Sequence, residues 1–278
     1  QAGERPADEP GVDPGPALRA LEADVLAQAP HLDTVADAAG TGAVPAPAPA
    51  TAPAGVGRDA ELARLRQVAA AAEQTGLRVV WVGGEPGAGK TTLLRMFAAE
   101  LRDRGWRVAW GRCPEVDGAP PAWAWSEILR ELADLPDQPG GEALAPLLAG
   151  EASAGSQFRL AQAVGARLGD AGPLLVVLDD IHRADGETLQ VLRHLAAALA
   201  ERPLLVVPTH RPGEAQPQLD GARAALAGPR STDLDLGGLD ADAAAALLHA
   251  HLGAALDPEA AVLVHPRTGG NPLFLIET

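Results

Sequence analysis

Apolar residues recur along this chain in two rhythms. Between residues 56 and 236, short unbroken apolar runs alternate with longer stretches whose apolar positions return every three or four residues. The runs are RVVWVGG (78–84), RVAWGRC (107–113), PLLVVLDD (173–180) and PLLVVPT (203–209). Runs this short, rich in Val and Leu and without polar alternation, predict strands buried on both faces. The stretches between them predict helices. Asp59–Thr75 is one, and in TTLLRMFAAELRDRG the residues Leu93, Leu94, Phe97, Ala98 and Leu101 share one helical face. Further helices are predicted over 120–134, 156–168, 185–200 and 216–227, with a short strand at Asp233–Leu236 and helix from Asp240 onward. This alternation predicts a mainly parallel sheet in a three-layer α/β sandwich.

Upstream the rhythm changes. PALRALEADVLAQA (16–29) places Leu18, Leu21, Val25 and Leu26 on one helical stripe. AVPAPAPATAPAG (43–55) alternates Ala and Pro, which excludes helix and central strand and predicts a semi-rigid extended linker. The chain therefore divides into a helical segment (1–42), the linker (43–55), an α/β domain (56–236) and a second helical segment (237–278).

Composition narrows the function classes. The formal charge is −15, which repels phosphate backbones, so this piece by itself is a poor binder of DNA. Cys113 is the sole cysteine; an internal disulfide is excluded and a reducing cytoplasm fits. No apolar run approaches the roughly 20 residues that span a bilayer, so no membrane partner is expected. The first residue is Gln1 and the only methionine is Met96, so the chain reads as a fragment of a longer protein. Lys90 is the only lysine; every other basic position is arginine.

That lysine sits in GEPGAGKT (84–91), a complete G-x-x-x-x-G-K-[ST] between a predicted strand and a predicted helix. The pattern is that of a phosphate-binding loop. The backbone N–H groups of Gly84, Glu85, Pro86, Gly87, Ala88 and Gly89 (proline excepted) and the following helix N-terminus form an anion nest. Lys90 reaches the β- and γ-phosphates, the Thr91 hydroxyl ligates Mg²⁺, and Thr92 caps the helix or touches the α-phosphate. A compact ammonium suits this nest better than a planar guanidinium, which explains a lysine in a chain that otherwise uses arginine. The fold expected is thus a P-loop NTPase sandwich, with ATP/ADP and Mg²⁺ as cofactors.

LLVVLDD ends in two carboxylates. Parallel sheets present the C-terminal strand ends to the ligand, so Asp179 is expected to hold Mg²⁺ and Asp180 to orient the attacking water. Aspartate is one methylene shorter than glutamate, which predicts slow hydrolysis. Arg211, just beyond the next strand, lies on the same sheet edge and is a candidate contact for the γ-phosphate. His182, His210, Trp123 and Trp125 read as packing or loop residues.

Five stretches then carry a resemblance: VGRDAELARL (56–65), GEPGAGKTTLL (84–94), LLVVLDDIHRAD (174–185), LLVVPTHRPGE (204–214) and RTGGNPLFLIE (267–277). Their order resembles STAND-type signalling NTPases of the AAA-like superfamily, the ATPase modules of large bacterial transcriptional regulators. The stretch 113–132 resembles the same group, and Arg183 departs from a common tryptophan. The resemblance implies that Val56, Gly57 and Arg58 lie near the adenine, that Pro272 approaches the base from a helical lid (237–278), and that Arg211 senses the γ-phosphate. GVDPGPALRALEADVLAQAPHLD (11–33) resembles the end of the bacterial transcriptional activation domain of SARP-type activators (Streptomyces antibiotic regulatory proteins). The implied function is a slow ATP-hydrolysing switch within a transcriptional activator of antibiotic or secondary-metabolite genes. The partners it implies are nucleotide, the protein's own DNA-binding and sensor domains, and a second copy in nucleotide-dependent self-association. Promoter DNA and RNA polymerase are reached through domains outside this sequence. Alternatives are an ATPase module of another signalling protein, a small-molecule kinase, or an interaction module that holds ADP without turnover.

Overall fold

The structure, a computed structural model, describes residues 56–114, 119–132, 157–213, 217–252 and 258–277. The helix expected over 16–29, the Ala-Pro linker and the activation-domain likeness at 11–33 lie outside the described residues. In chain order the elements are α1 (Asp59–Thr75), β1 (Arg78–Gly84), α2 (Lys90–Asp103), β2 (Arg107–Arg112), α3 (Trp123–Glu131) and α4 (Gln157–Gly169). They continue with β3 (Leu174–Asp179), a 3₁₀ turn at Ile181–Arg183, α5 (Gly186–Ala198), β4 (Leu204–His210), α6 (Pro217–Leu226) and β5 (Ser231–Leu236). Three helices close the chain: α7 (Ala241–Leu252), α8 (Pro258–Thr268) and α9 (Pro272–Glu277).

The five strands among the described residues are all parallel, in the order β2-β3-β4-β1-β5. Successive residues of a strand point to opposite faces, and the burial follows that alternation. Val79, Trp81, Leu174, Val176, Leu178, Leu204 and Val206 face one layer, built from α3, α4, α5 and α6. Val80, Val82, Leu175, Val177, Leu205 and Val207 face the other, built from α1 and α2. That is why these strands read as unbroken apolar runs: both faces are covered. On α2 the predicted stripe is the buried one; Phe97 is fully buried within it, a burial that contributes about 1.5–3 kcal/mol. This is the α/β P-loop sandwich expected from the sequence.

Several boundaries differ from the expectation by a residue or more, and two of them have a clear physical reason. The helix expected over 120–134 is described only as Trp123–Glu131, and it starts late because Ala122 sits in the left-handed region at φ 56°, outside right-handed helical backbone. The last strand starts at Ser231, two residues before the expected Asp233, and pairs with β1 along its whole length. STDLDL reads weakly because β5 is an edge strand with only Leu236 buried.

The three C-terminal helices carry their own small core of Leu239, Ala243, Ala244, Leu247, Leu248 and Leu275, against which Val56 packs. Gly270 accepts a backbone hydrogen bond from Leu239 at 2.8 Å, tying the two ends of this helical unit together beside the sheet's C-terminal edge.

Candidate functional site

The C-terminal ends of β1, β3 and β4 meet at the start of α2, so the sheet edge and the phosphate loop share one region. Gly89 is the N-cap of α2 at φ 92°, a left-handed conformation that glycine adopts without strain. The loop turns there, and its amides run into the positive end of the α2 dipole. Lys90 is buried, with Nζ donating to the Gly84 carbonyl at 2.5 Å and the Glu85 carbonyl at 3.2 Å. Burial lowers its pKa, and the neighbouring Asp180 charge opposes that shift while Arg211 adds to it. All three charges therefore sit within one electrostatic neighbourhood.

Thr91 Oγ1 donates to Asp179 Oδ2 at 3.3 Å. A hydroxyl and a carboxylate oxygen side by side form a hard-oxygen pair suited to Mg²⁺, which takes its remaining ligands from phosphates and water. Among the described residues, no cluster of three or more His, Cys, Asp and Glu could hold a metal ion.

Asp180 occupies the left-handed region at φ 56°, one of only two non-glycine residues among those described to do so. This backbone costs of order 1–3 kcal/mol and persists because its surroundings hold it. The Asp180 amide donates to Thr209 Oγ1 at 2.9 Å, and that same hydroxyl donates to Asp179 Oδ1 at 2.7 Å. Thr209 is fully buried at the end of β4. One threonine therefore orients both carboxylate-bearing residues. The Asp180 carboxylate also lies 3.7 Å from Arg112 and 3.9 Å from His182 Nδ1.

A cavity of about 400 Å³ opens above the loop, lined by residues 86–92, Asp180, Arg211, Pro272, Leu273 and Ile276. Phosphate loop, acidic strand end, Arg211 and the helical unit thus surround one space. A second, more apolar cavity of about 470 Å³ lies between the loop, the end of β5 and the helical unit; Leu236, Gly237, Gly269 and Phe274 are among its walls.

The helical unit grips the loop directly. Asn271 Nδ2 donates to the Pro86 carbonyl at 2.8 Å, and the Leu273 amide donates to the Gly87 carbonyl at 3.3 Å. A Cβ at Gly87 would lie 2.5 Å from Leu273 Cβ and 2.7 Å from Asn271 Oδ1. Close approach of the helical unit therefore demands this glycine, in addition to its φ of 79°. Pro272 stands over Gly89, its Cγ 3.9 Å from where a Cβ there would be.

The structure uses Val56–Gly57–Arg58, which the resemblance implies for the adenine, as a clamp. Val56 packs on the helical unit. The buried Arg58 guanidinium pairs with Glu61 at 2.8 Å and donates to the carbonyls of Ala88 (3.1 Å) and Gly237 (2.6 Å). It thereby fixes the phosphate loop against the segment leading from β5 to α7. Thr92, Glu85 and Gly84 lie on the loop as read, and Thr92 lines the phosphate cavity. Trp125 is a core residue whose Nε1 donates to the Thr188 carbonyl at 3.0 Å, and Trp123 stacks under Arg130 at 5.2 Å.

Sequence reading missed Thr209 and the Arg112–Asp180 pair, and it placed Asn271 beside Pro272 in a lid motif without its hydrogen bond to the loop. The only signal for Thr209 was a polar residue at the end of an apolar strand. Its meaning depends on β4 lying beside β3, with Leu178 registered against Pro208.

The family described as "AAA ATPase domain" matches residues 55–207. A STAND protein with a tetratricopeptide-repeat sensor, from Pyrococcus horikoshii, is similar at 21% identity and a TM-score of 0.47, over 79% of this chain and 29% of its own. The ORC2 protein of Aeropyrum pernix is similar at 14% identity and a TM-score of 0.55, over 78% of this chain and 59% of its own. A RuvB variant from Thermotoga maritima is similar at 18% identity and a TM-score of 0.48, over 80% of this chain and 60% of its own. The ORC2 likeness is one of fold, and the chain spans less than two thirds of each of these proteins. No curated protein matches the chain. No described helix is long and apolar enough to cross a membrane.

Proposed function

The chain belongs to the AAA ATPase domain family, and from that premise we propose that it is a nucleotide switch that binds ATP or ADP with Mg²⁺ and hydrolyses ATP slowly. The observation that carries the reading is the shared cavity: the Lys90 loop, Asp180, Arg211 and Pro272 line one space, with the Thr91–Asp179 oxygen pair adjoining it. In this reading Lys90 and Arg211 bind the terminal phosphate, and Thr91 and Asp179 hold the cation, which neutralises phosphate charge when bound. Asp180, aimed by Thr209, orients the attacking water and accepts its proton. The more apolar cavity beside Phe274 takes the base. The Asn271 and Leu273 hydrogen bonds to the loop make the helical unit's position sensitive to what the loop holds, which is the switch.

The finer assignment rests on the motif order. It favours a STAND-type module of a multidomain SARP-type transcriptional activator, cytoplasmic, acting on antibiotic or secondary-metabolite genes. Promoter DNA and RNA polymerase are then contacted by other domains, and self-association depends on the bound nucleotide. The domain limits 56–236 and 237–278 follow the same reading. Single-turnover hydrolysis of ATP with Mg²⁺ tests the core of it. Slow phosphate release by the parent, lost in Asp180→Asn while ATP binding survives, is expected; turnover unchanged by Asp180→Asn removes the role given to that carboxylate.

A further inference from the structure

His210 reads from the sequence as a packing or loop residue, and the fold gives it partners of another kind. It ends β4, in register with Gly83 of β1, and directly precedes Arg211. Its side chain is buried. Arg223 Nη1, from α6, meets the ring at Nε2, 2.9 Å away. A guanidinium only donates, so Nε2 accepts, and the ring is the neutral tautomer with its proton on Nδ1. Nδ1 faces the Arg211 carbonyl at 3.4 Å and in this tautomer donates to it. Burial lowers the ring's pKa and the Arg223 charge lowers it further, opposed by the Arg211 carbonyl and by the Asp235 and Asp233 charges. The ring is thus neutral at pH 7, as the donor geometry requires.

Arg223 is itself held from several sides. Its Nη2 donates to the Asp233 carboxylate on β5, and its guanidinium lies over the Trp81 ring of β1, 5.1 Å from the centroid. Trp81 Nε1 donates to Ser231 Oγ at 3.1 Å. Gly83 makes room for the cluster: a Cβ there would collide with the Asp235 carboxylate and lie 3.2 Å from His210 Cε1. A plain surface ion pair with Asp233 would leave the other guanidinium nitrogen to water, whereas here it is turned inward onto a buried ring nitrogen. Residues of β1, β4, β5 and α6 together therefore fix the orientation of one histidine. Arg211, the next residue, is constrained on its other side by Pro212, which favours extended backbone in the residue before it.

We propose that His210 and Arg223 are positioning residues for Arg211 and, through it, set the preference for a nucleoside triphosphate over a diphosphate. The proposal rests on the reading that Arg211 binds the terminal phosphate. Arg211 lines the phosphate cavity from just beyond the end of β4, and a long side chain at a strand end has many rotamers to lose. The His210 ring, buttressed by Arg223, holds the Arg211 carbonyl and so the backbone that aims the guanidinium. Preorganisation of this kind strengthens only the contacts the aimed group makes. A diphosphate lacks the γ-phosphate that Arg211 would contact, so its affinity does not depend on the aim. Neither His210 nor Arg223 is among the described residues that line the cavity, so both act without touching nucleotide.

Calorimetric titration with Mg-ADP and with Mg-AMPPNP, a triphosphate analogue whose β–γ bridge resists hydrolysis, tests it. The proteins are the parent, Arg211→Ala, His210→Phe, His210→Gln, Arg223→Met and the double variant His210→Phe/Arg211→Ala. Phenylalanine keeps the ring's bulk without its nitrogens, methionine keeps the cover over Trp81 without the donors, and glutamine still offers Arg223 an acceptor. In Arg211→Ala, His210→Phe and Arg223→Met, AMPPNP affinity is expected to fall about fivefold or more while ADP affinity holds within about twofold, a coupling of ordinary size for residues in contact. His210→Gln is expected to stay near the parent, and the double variant to match Arg211→Ala. Thermal melts show which variants are folded; Arg223 is partly exposed, so Arg223→Met carries the test if His210→Phe does not fold. Four results overturn the proposal and leave the nucleotide reading standing: AMPPNP affinity unchanged in the folded variants, ADP affinity falling equally with it, a glutamine variant as impaired as the phenylalanine one, or a further loss in the double variant. No saturable binding by the parent, or unchanged AMPPNP affinity in Arg211→Ala, overturns the reading of Arg211 and the proposal with it.

Discussion

Thr209 offers a sharp perturbation, because valine has its shape without its hydroxyl. The residue is fully buried, so the space left by Thr209→Val is filled and no cavity forms. Two hydrogen bonds disappear, one of 2.7 Å to the Asp179 carboxylate and one of 2.9 Å from the Asp180 amide. Leaving a buried amide unsatisfied costs about 1–3 kcal/mol, and a hydrogen bond to a charged group contributes about 1.5–3 kcal/mol. Water can reach the half-buried Asp179 and recover part of the second, so a total of roughly 3 kcal/mol follows. At roughly 3 °C per kcal/mol for a domain of this size, Tm falls by roughly 9 °C. Thermal denaturation of the parent, Thr209→Val and Thr209→Ser measures it, serine restoring most of the loss. Single-turnover hydrolysis should fall further in Thr209→Val than Mg-ATP affinity does, since both carboxylate-bearing residues lose their common anchor. A valine variant that melts with the parent and turns over at its rate refutes the claim that this hydroxyl orients the acidic strand end.

Two further outcomes follow from the geometry. Gly87→Ala places a Cβ against Leu273 and Asn271 and strains a left-handed backbone; hydrogen exchange over 269–277 should accelerate while α2 stays protected, and unchanged exchange contradicts the grip of the helical unit on the loop. Burial pushes the Cys113 thiol up to about 12, so iodoacetamide at pH 8 should leave the native protein unlabelled and label it in denaturant, and rapid native labelling contradicts that burial.

Much of this molecule is legible from residue pattern because its strands are covered on both faces. β1, β3 and β4 announce themselves as apolar runs, and the stripe on α2 marks the buried face. The phosphate loop is legible because its constraints are local: glycines where the chain turns, a lysine that follows, a strand before and a helix after. What is illegible depends on non-local neighbours. Gly87 reads as one more loop glycine, yet its lack of a side chain is demanded by Leu273, far along the chain. Thr209 gains its role only once β4 lies beside β3. Arg58 reads as part of a motif, while the reason for a guanidinium is a fork that spans Ala88 and Gly237. Glu127 and Glu131 look like ordinary surface acids on a helix. In the fold they occupy the free amides of an edge strand, which protects that edge from pairing with another chain.

The central claim is that Lys90 and its loop grip a nucleotide's phosphates. Calorimetric titration of Mg-ATP and Mg-ADP into the parent and Lys90→Ala tests it most directly. Saturable binding by the parent, weakened by about 1.4 kcal/mol or more (tenfold or more) in a folded Lys90→Ala, is the predicted result. Equal affinity of the two proteins, or no binding by the parent, would contradict the account.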